Sequence, residues 1–313
     1  MKKILLSGVK PTGRPHLGNY FGAMKQFIEL QNMYDCNFMI ADYHALNFIQ
    51  DANEMRDNSI NLAIDFLAIG LDPQKSVIFK QSNVSAHTEL TWIFDAITTM
   101  PYLMRAHAYK DAEAKDKEIN VGTFNYPMLM AADILLYDAD VVPVGQDQKQ
   151  HIEYARDTAQ KFNNTFGETF KLPEPLIQED VATVPGTDGQ KMSKSYKNTI
   201  PLFASREEIT KAVMSIVTDS SGEVPLNVFN IHKLIKPESD LKKLYEENKG
   251  KYKVLKETLI EDLDAFIKPM RDKRMEIEKD ISRVHEILKE GAVKANEKAQ
   301  KKLLEVKRNI GVI

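Results

Sequence analysis

KILLSGVKPTGRPHLGNYFGAMKQFIELQNMY, residues 3–34, decides the fold. KILLS at 3–7 reads as a short first strand. GVKPTGRPHLGNYFGA follows with four glycines and two prolines, and then an amphipathic helix, AMKQFIELQNMY. A strand, a Gly-rich loop and a helix in that order open a nucleotide-binding α/β fold, because the loop backbone can approach phosphates and the helix N-terminus favours their charge. The loop matches neither GxxxxGKS/T nor GxGxxG, which excludes a P-loop and a dinucleotide fingerprint. His16, in HLGN, is open to two readings: a satisfied structural histidine, or a contact to phosphate or ribose.

Downstream, strands and helices alternate. CNFMIAD at 36–42 is almost wholly apolar, as a parallel strand covered on both faces must be. It runs into ADYHAL, which places Tyr43 and His44 at a strand's carboxyl end, where open α/β sheets bind ligands. A helix at about 53–70 stops at Gly70. SVIFKQS at 76–82 is a third strand. The segment at about 84–125 holds the only tryptophan, Trp92, on an apolar helical face that serves either core or a subunit interface. Within it, DAEAKDKEINVG at 111–122 reads as a charged surface loop.

YPMLMAADILLYDADVVPVGQDQKQH, residues 126–151, is the stretch richest in chemistry. Pro127 suits the first position of a helix. Tyr126, Met130, Asp133 and Tyr137 then recur at steps of four, three and four and share one face. A lone acid among Met, Leu, Ile and Ala is expensive to bury unless protein or ligand donates a hydrogen bond to it. A strand, DADVVPV, then Gly145 and a polar helix start follow. FKLPEPLIQEDVATVPGTDGQKMSKSYKN is rich in Pro, Gly and Lys. From 201 the pattern is helical only: REEITKAVMSIV, then about 239–290, then 294–308. The chain therefore reads as a parallel-sheet α/β domain followed by an all-helical one.

Composition sets wider bounds. A chain of 313 residues suits two domains. With 43% apolar and 28% charged residues it is an ordinary globular protein rather than a disordered or fibrous one. The net charge of −3 gives no global sign of nucleic-acid binding, although residues 201–313 carry 23 Lys and Arg against 20 Asp and Glu. Cys36 is the only cysteine, which rules out an intrachain disulfide and points to a reducing compartment. MKKILLSG has too short an apolar run for a signal peptide, and nothing approaches the eighteen apolar residues of a membrane span. The expectation is a cytoplasmic protein with no membrane partner.

KMSKS at 191–195, paired with HLGN at 16–19, resembles the two signature sequences of class I aminoacyl-tRNA synthetases. The stretch YPMLMAADILLYDADVVPVGQDQKQHIEYARD then looks like the tryptophanyl-tRNA synthetase segment, and the resemblance extends from SGVKPTG at 7–13 to EGAVKANEKA near the end. It implies a Rossmann-like ATP- and tryptophan-binding catalytic domain over 1–196, with an insertion and dimer segment at about 84–125. A helical anticodon-binding domain over 197–313 would follow, its last helix folding back toward the first domain. The implied reaction joins L-tryptophan to tRNA(Trp) through tryptophanyl-adenylate, with ATP and a substrate-bridging Mg²⁺, in a homodimer.

The resemblance also implies residue roles. His16, Lys191, Lys194 and Ser195 would act on the phosphates, with Met192 and Ser193 in the same segment. Pro11, Thr12, Gly18 and Asn19 would hold ATP, together with Lys10, where many family members carry Gln. Gly145, Gln146 and Asp147 would hold the ribose, and Val184 would meet the adenine through its backbone. Asp133 would accept the indole N–H, a suitable device because an indole offers one donor on an apolar body. Tyr126, Met130, His44, Val142, Val144 and Gln148 would surround the same pocket. No dedicated protein metal site is expected. The nearest alternative, a tyrosyl enzyme, would need an acceptor and donor pair for a phenol.

Overall fold

The computed structural model describes residues 2–114, 119–145, 149–177, 184–218 and 224–313. Its centre is a parallel five-stranded sheet: β1 (Ile4–Val9), β2 (Asp35–Ile40), β3 (Ser76–Lys80), β4 (Val141–Val144) and β5 (Glu174–Ile177), in spatial order β3-β2-β1-β4-β5. Strand order reverses between β1 and β4, which opens a crevice at their carboxyl ends, the place where such sheets bind ligands.

Successive strand residues point to opposite faces, and the sheet divides the core accordingly. Leu5, Phe38 and Ile78 face one layer, with Phe27 and Phe66 from flanking helices. Leu6, Met39 and Phe79 face the other, with Phe94, Met128 and Leu135. The first layer continues without a gap into Leu255, Leu259 and Leu263 of the helix Tyr252–Ile277. One buried cluster therefore holds residues from both sides of residue 196.

Several boundaries differ from the sequence reading, each for a physical reason. Pro127 lies inside the helix Val121–Leu135, not at its start, because the Asn120 side chain accepts from Thr123 N (2.7 Å) and caps the helix six residues earlier. The supposed loop at 111–122 is helical at both ends: Asp111 to Ala114 close the helix His107–Ala114, and Val121 opens the next. β5 went unseen because EPLI is short and holds Pro175, which an edge strand tolerates. The final helices divide at 248–251 and 278–280, giving Glu238–Glu247, Tyr252–Ile277 and Ile281–Asn309.

No break occurs near Gly291. A Cβ there would fall 2.7 Å from the Ile78 carbonyl carbon and closer still to its oxygen. The glycine lets the last helix seat against β3, with Ala295, Ala299, Leu303 and Val306 buried alongside.

Candidate active site

A cavity of about 340 Å³ fills the crevice. Its floor is β1 from Leu6 to Val9, with Lys10 beyond it, and its walls come from Val142, Val144 and Gly145 at the end of β4 and from the helix Val121–Leu135. That helix turns Tyr126, Met130 and Asp133 into the cavity, as the spacing predicts. Tyr137 lies just past the helix end and faces the interior behind Asp133 instead.

Asp133 is 2% exposed and is ringed by donors. Its Oδ2 accepts from His44 Nε2 (2.8 Å), and its Oδ1 accepts from Gln81 Nε2 (2.8 Å) and His87 Nδ1 (2.6 Å). Burial on its own would raise the carboxyl, but His87 and His44 outweigh it and hold Asp133 down at about 2. The acid is therefore a carboxylate, an acceptor only. His44 rides on the short helix Asp42–Ala45 after β2, and Gln81 follows β3, where its Oε1 also accepts from Tyr43 N (3.1 Å). Two segments at strand ends and two helices thus converge on one carboxylate.

Sequence reasoning missed Gln81 and His87. The signal for His87 was present: His87, Leu90 and Phe94 recur at steps of three and four, and all are 0% exposed. Gln81 carried no comparable signal. The Tyr126 hydroxyl hydrogen-bonds His151, and burial pushes that phenol up to about 12. Lys10 lies in the cavity wall with its ammonium 4.9 Å from the centroid of Phe48, and desolvation there pushes it below the usual lysine range.

The second cluster joins the two signature segments. HLGN opens a helix at Leu17 that passes through a π-helical turn at Tyr20–Met24 before continuing as Lys25–Met33. Leu17 N donates to Ile200 O (3.0 Å), and Leu202 N to Pro15 O (2.9 Å), which ties HLGN to the chain just beyond KMSKS. Asn19 Oδ1 accepts from His16 N (3.1 Å). His16 is buried, and its Nδ1 has no hydrogen-bond partner among the described residues. Burial, then the Lys194 charge, lower that imidazole to about 4.

KMSKS lies across this region. Lys194 Nζ donates to Thr12 O (2.8 Å), and Gly18 N donates to Met192 Sδ (3.3 Å). Met192 N donates to Val184 O (2.9 Å), so Val184 and the signature share one short bridge. Gly18 has no room for a side chain, since a Cβ would lie 2.9 Å from the His16 ring and 3.3 Å from Met192. Ser193 N donates to Asn198 Oδ1 (2.7 Å), whose Nδ2 donates back to Lys191 O (3.1 Å), holding the segment in a tight turn. Lys191, Lys194 and Ser195 are exposed, and Pro11 is buried. Gln146, Asp147 and Gln148 lie outside the described residues. Among the described residues no group of three or more His, Cys, Asp or Glu side chains is arranged to hold a metal ion.

Comparison with known proteins agrees over the whole chain. The family model for class I tRNA synthetases (W and Y) matches residues 2–304. The tryptophan–tRNA ligase of Fusobacterium nucleatum is 49% identical, covering 98% of each chain, and that of Campylobacter jejuni is 46% identical over 98% of this chain and 99% of its own. The crystal structure of tryptophanyl-tRNA synthetase from Campylobacter jejuni complexed with ADP and tryptophan superposes with a TM-score of 0.92 at 45% identity, covering 98% of this chain and 99% of that one. A tyrosyl-tRNA synthetase from Archaeoglobus fulgidus shares the fold alone, at 21% identity and a TM-score of 0.67. The parallel sheet, the signature segments and these relatives together place the chain in the tryptophanyl group of the class I aminoacyl-tRNA synthetases.

Proposed function

We propose that this enzyme attaches L-tryptophan to tRNA(Trp) at the crevice between β1 and β4, with the indole held in the cavity against Asp133. The tryptophan carboxylate attacks the α-phosphorus of ATP, and pyrophosphate leaves with the electrons of the broken P–O bond. The 2′-hydroxyl of the terminal tRNA ribose then takes the aminoacyl group from the adenylate and releases AMP. Neither step requires a covalent enzyme intermediate. Catalysis is positioning and neutralisation of charge on phosphate.

One observation carries the reading. A carboxylate fixed by three donors stands in the wall of an otherwise mainly apolar cavity. An indole presents one N–H on an apolar body, the complement of that wall. Tyr126, Met130, Val142 and Val144 pack around the rings, and His44 orients the acid from the cavity side. Lys191, Lys194 and Ser195 close on the phosphates, with His16, Gly18 and Asn19 beneath, Pro11 and Thr12 alongside, and Gly145 toward the ribose. Lys10 answers the substrate carboxylate or the α-phosphate. Mg²⁺ accompanying ATP would neutralise charge on its phosphates, alongside Lys191 and Lys194.

Two further parts of the proposal concern assembly. Residues 197–313 carry the anticodon contacts, supported by their small positive balance. Residues from about 84 to 125 form the homodimer contact, supported by the exposure of Trp92 (75%), Met100 and Met104 in that segment. No described helix is long and apolar enough to cross a membrane, and we place the enzyme in the cytoplasm.

The test is ATP–pyrophosphate exchange. Exchange is expected with tryptophan and not with tyrosine. Asp133→Ala is expected to lower kcat/KM for tryptophan by at least about tenfold, the value of a hydrogen bond to a charged group, while ATP still binds. Exchange with tyrosine alone, or near-normal tryptophan specificity in the variant, refutes the assignment.

A further inference from the structure

Behind Asp133, away from the cavity, lies a chain of polar groups that substrate does not reach. His87 is 0% exposed and Tyr137 2%. His87 Nδ1 lies 2.6 Å from Asp133 Oδ1, and His87 Nε2 lies 2.9 Å from the Tyr137 hydroxyl. The imidazole is stacked on Phe79 (centroids 6.3 Å apart, 25° between planes), and Tyr137 packs on Phe79 as well (5.6 Å). Burying two polar side chains in an aromatic layer is costly unless every polar atom is matched, and here each is.

The match also fixes direction. An ionised carboxylate can only accept, so Nδ1 must carry the hydrogen. Nε2 meets the Tyr137 hydroxyl, which can donate to it or accept from it. Tyrosine thereby anchors the far edge of the ring, and the histidine in turn locks the carboxylate.

Lone-pair accounting shows what the lock achieves. A carboxylate offers about four acceptor positions. Gln81 and His87 take both on Oδ1, and His44 takes one on Oδ2. One position on Oδ2 is left, beside His44 in the cavity wall.

We infer that His87 is a positioning residue for tryptophan recognition: with Tyr137 behind it, it holds Asp133 so that its single remaining acceptor position faces the indole N–H. This rests on the assignment of Asp133 as the indole acceptor. His87 touches no substrate. It converts a rotatable acid into a fixed, one-sided acceptor, so losing it costs discrimination between ligands with and without the N–H more than it costs binding of either.

The experiment compares tryptophan with 3-(benzothiophen-3-yl)alanine, in which sulfur replaces the N–H at nearly unchanged shape. The readout is the ratio of their kcat/KM values in pyrophosphate exchange. His87→Asn keeps a donor near the Nδ1 position, whereas His87→Gln moves it to the Nε2 position. His87→Gln is expected to lower the ratio at least about tenfold and His87→Asn to hold it within about threefold, with KM for ATP little changed in both. Equal ratios in both variants overturn the inference, since packing alone would not distinguish the two amides. Should neither variant fold, Tyr137→Phe decides: a ratio lowered about threefold supports the chain of donors, and an unchanged ratio overturns it. A wild-type enzyme that does not discriminate the two substrates overturns the indole assignment itself, a different outcome from the failure of His87.

Discussion

Gly291→Ala should destabilise this protein, although alanine is the better helix former. Two effects oppose each other. In the interior of the helix Ile281–Asn309, replacing glycine by alanine gains about 1 kcal/mol of intrinsic propensity. Against that, the new methyl would lie 2.7 Å from the Ile78 carbonyl carbon, well inside ordinary carbon–carbon contact of about 3.5–4.0 Å. The obstacle is the backbone of β3, paired to β2 on one side, and it cannot rotate away as a side chain would. The helix must lift by roughly 1 Å, and a radial gap of that size forfeits a quarter to a half of each dispersion contact along Ala295, Ala299, Leu303 and Val306. Overpacking of this kind costs about 1–3 kcal/mol, and the lost contacts add to it. A net loss of about 2 kcal/mol is expected. Urea unfolding followed by far-ultraviolet circular dichroism measures it, with exposed Val293→Ala as the control that takes the propensity gain without the clash. A Gly291→Ala protein as stable as wild type refutes the reasoning, and it would mean the helix does not press on β3.

Two further outcomes concern titration. Asp65, buried and ion-paired to Arg274 (2.7 Å), is pushed up to about 6 by burial against the pull of Arg274. A raised folded-state value means that its contribution is fully present below the unfolded value near 3.8 and lost as pH rises through about 6. Wild type should therefore gain up to about 3 kcal/mol relative to Asp65→Asn between pH 7 and pH 4, and parallel urea midpoints across that range would contradict this. His16, held at about 4, should stay neutral at physiological pH. Its NMR titration should show a midpoint well below 6, and a midpoint near 6.5 would show that the imidazole is solvated rather than buried.

The sequence made the periodic and the punctuated parts legible. Alternation placed β1 to β4, Gly70 ended its helix with φ 115°, and four-three spacing put Tyr126, Met130 and Asp133 on one cavity wall. What escaped was set by partners distant in the chain. The partners of Asp133 lie 46, 52 and 89 residues away, and no local pattern announces a glutamine that will meet a carboxylate across a sheet. Gly291 misled for a related reason. A glycine in a helical pattern reads as a stop, whereas here the missing side chain serves close approach to β3. Pro127 misled because an upstream cap, Asn120, outranked it.

The Gly18–Met192 contact has a consequence for exchange of partners. A thioether is a weak acceptor, so the N–H of Gly18 is satisfied at 3.3 Å without being strongly held. An anionic oxygen arriving at that N–H forms a stronger, charge-assisted bond and displaces the sulfur at a net gain. The contact is a placeholder: it keeps a backbone donor from standing bare while the segments lie together, and it yields to an incoming anion. The Leu17–Ile200, Leu202–Pro15 and Lys194–Thr12 bonds hold the two segments together independently of that contact, so exchanging the sulfur for an anion does not require them to part.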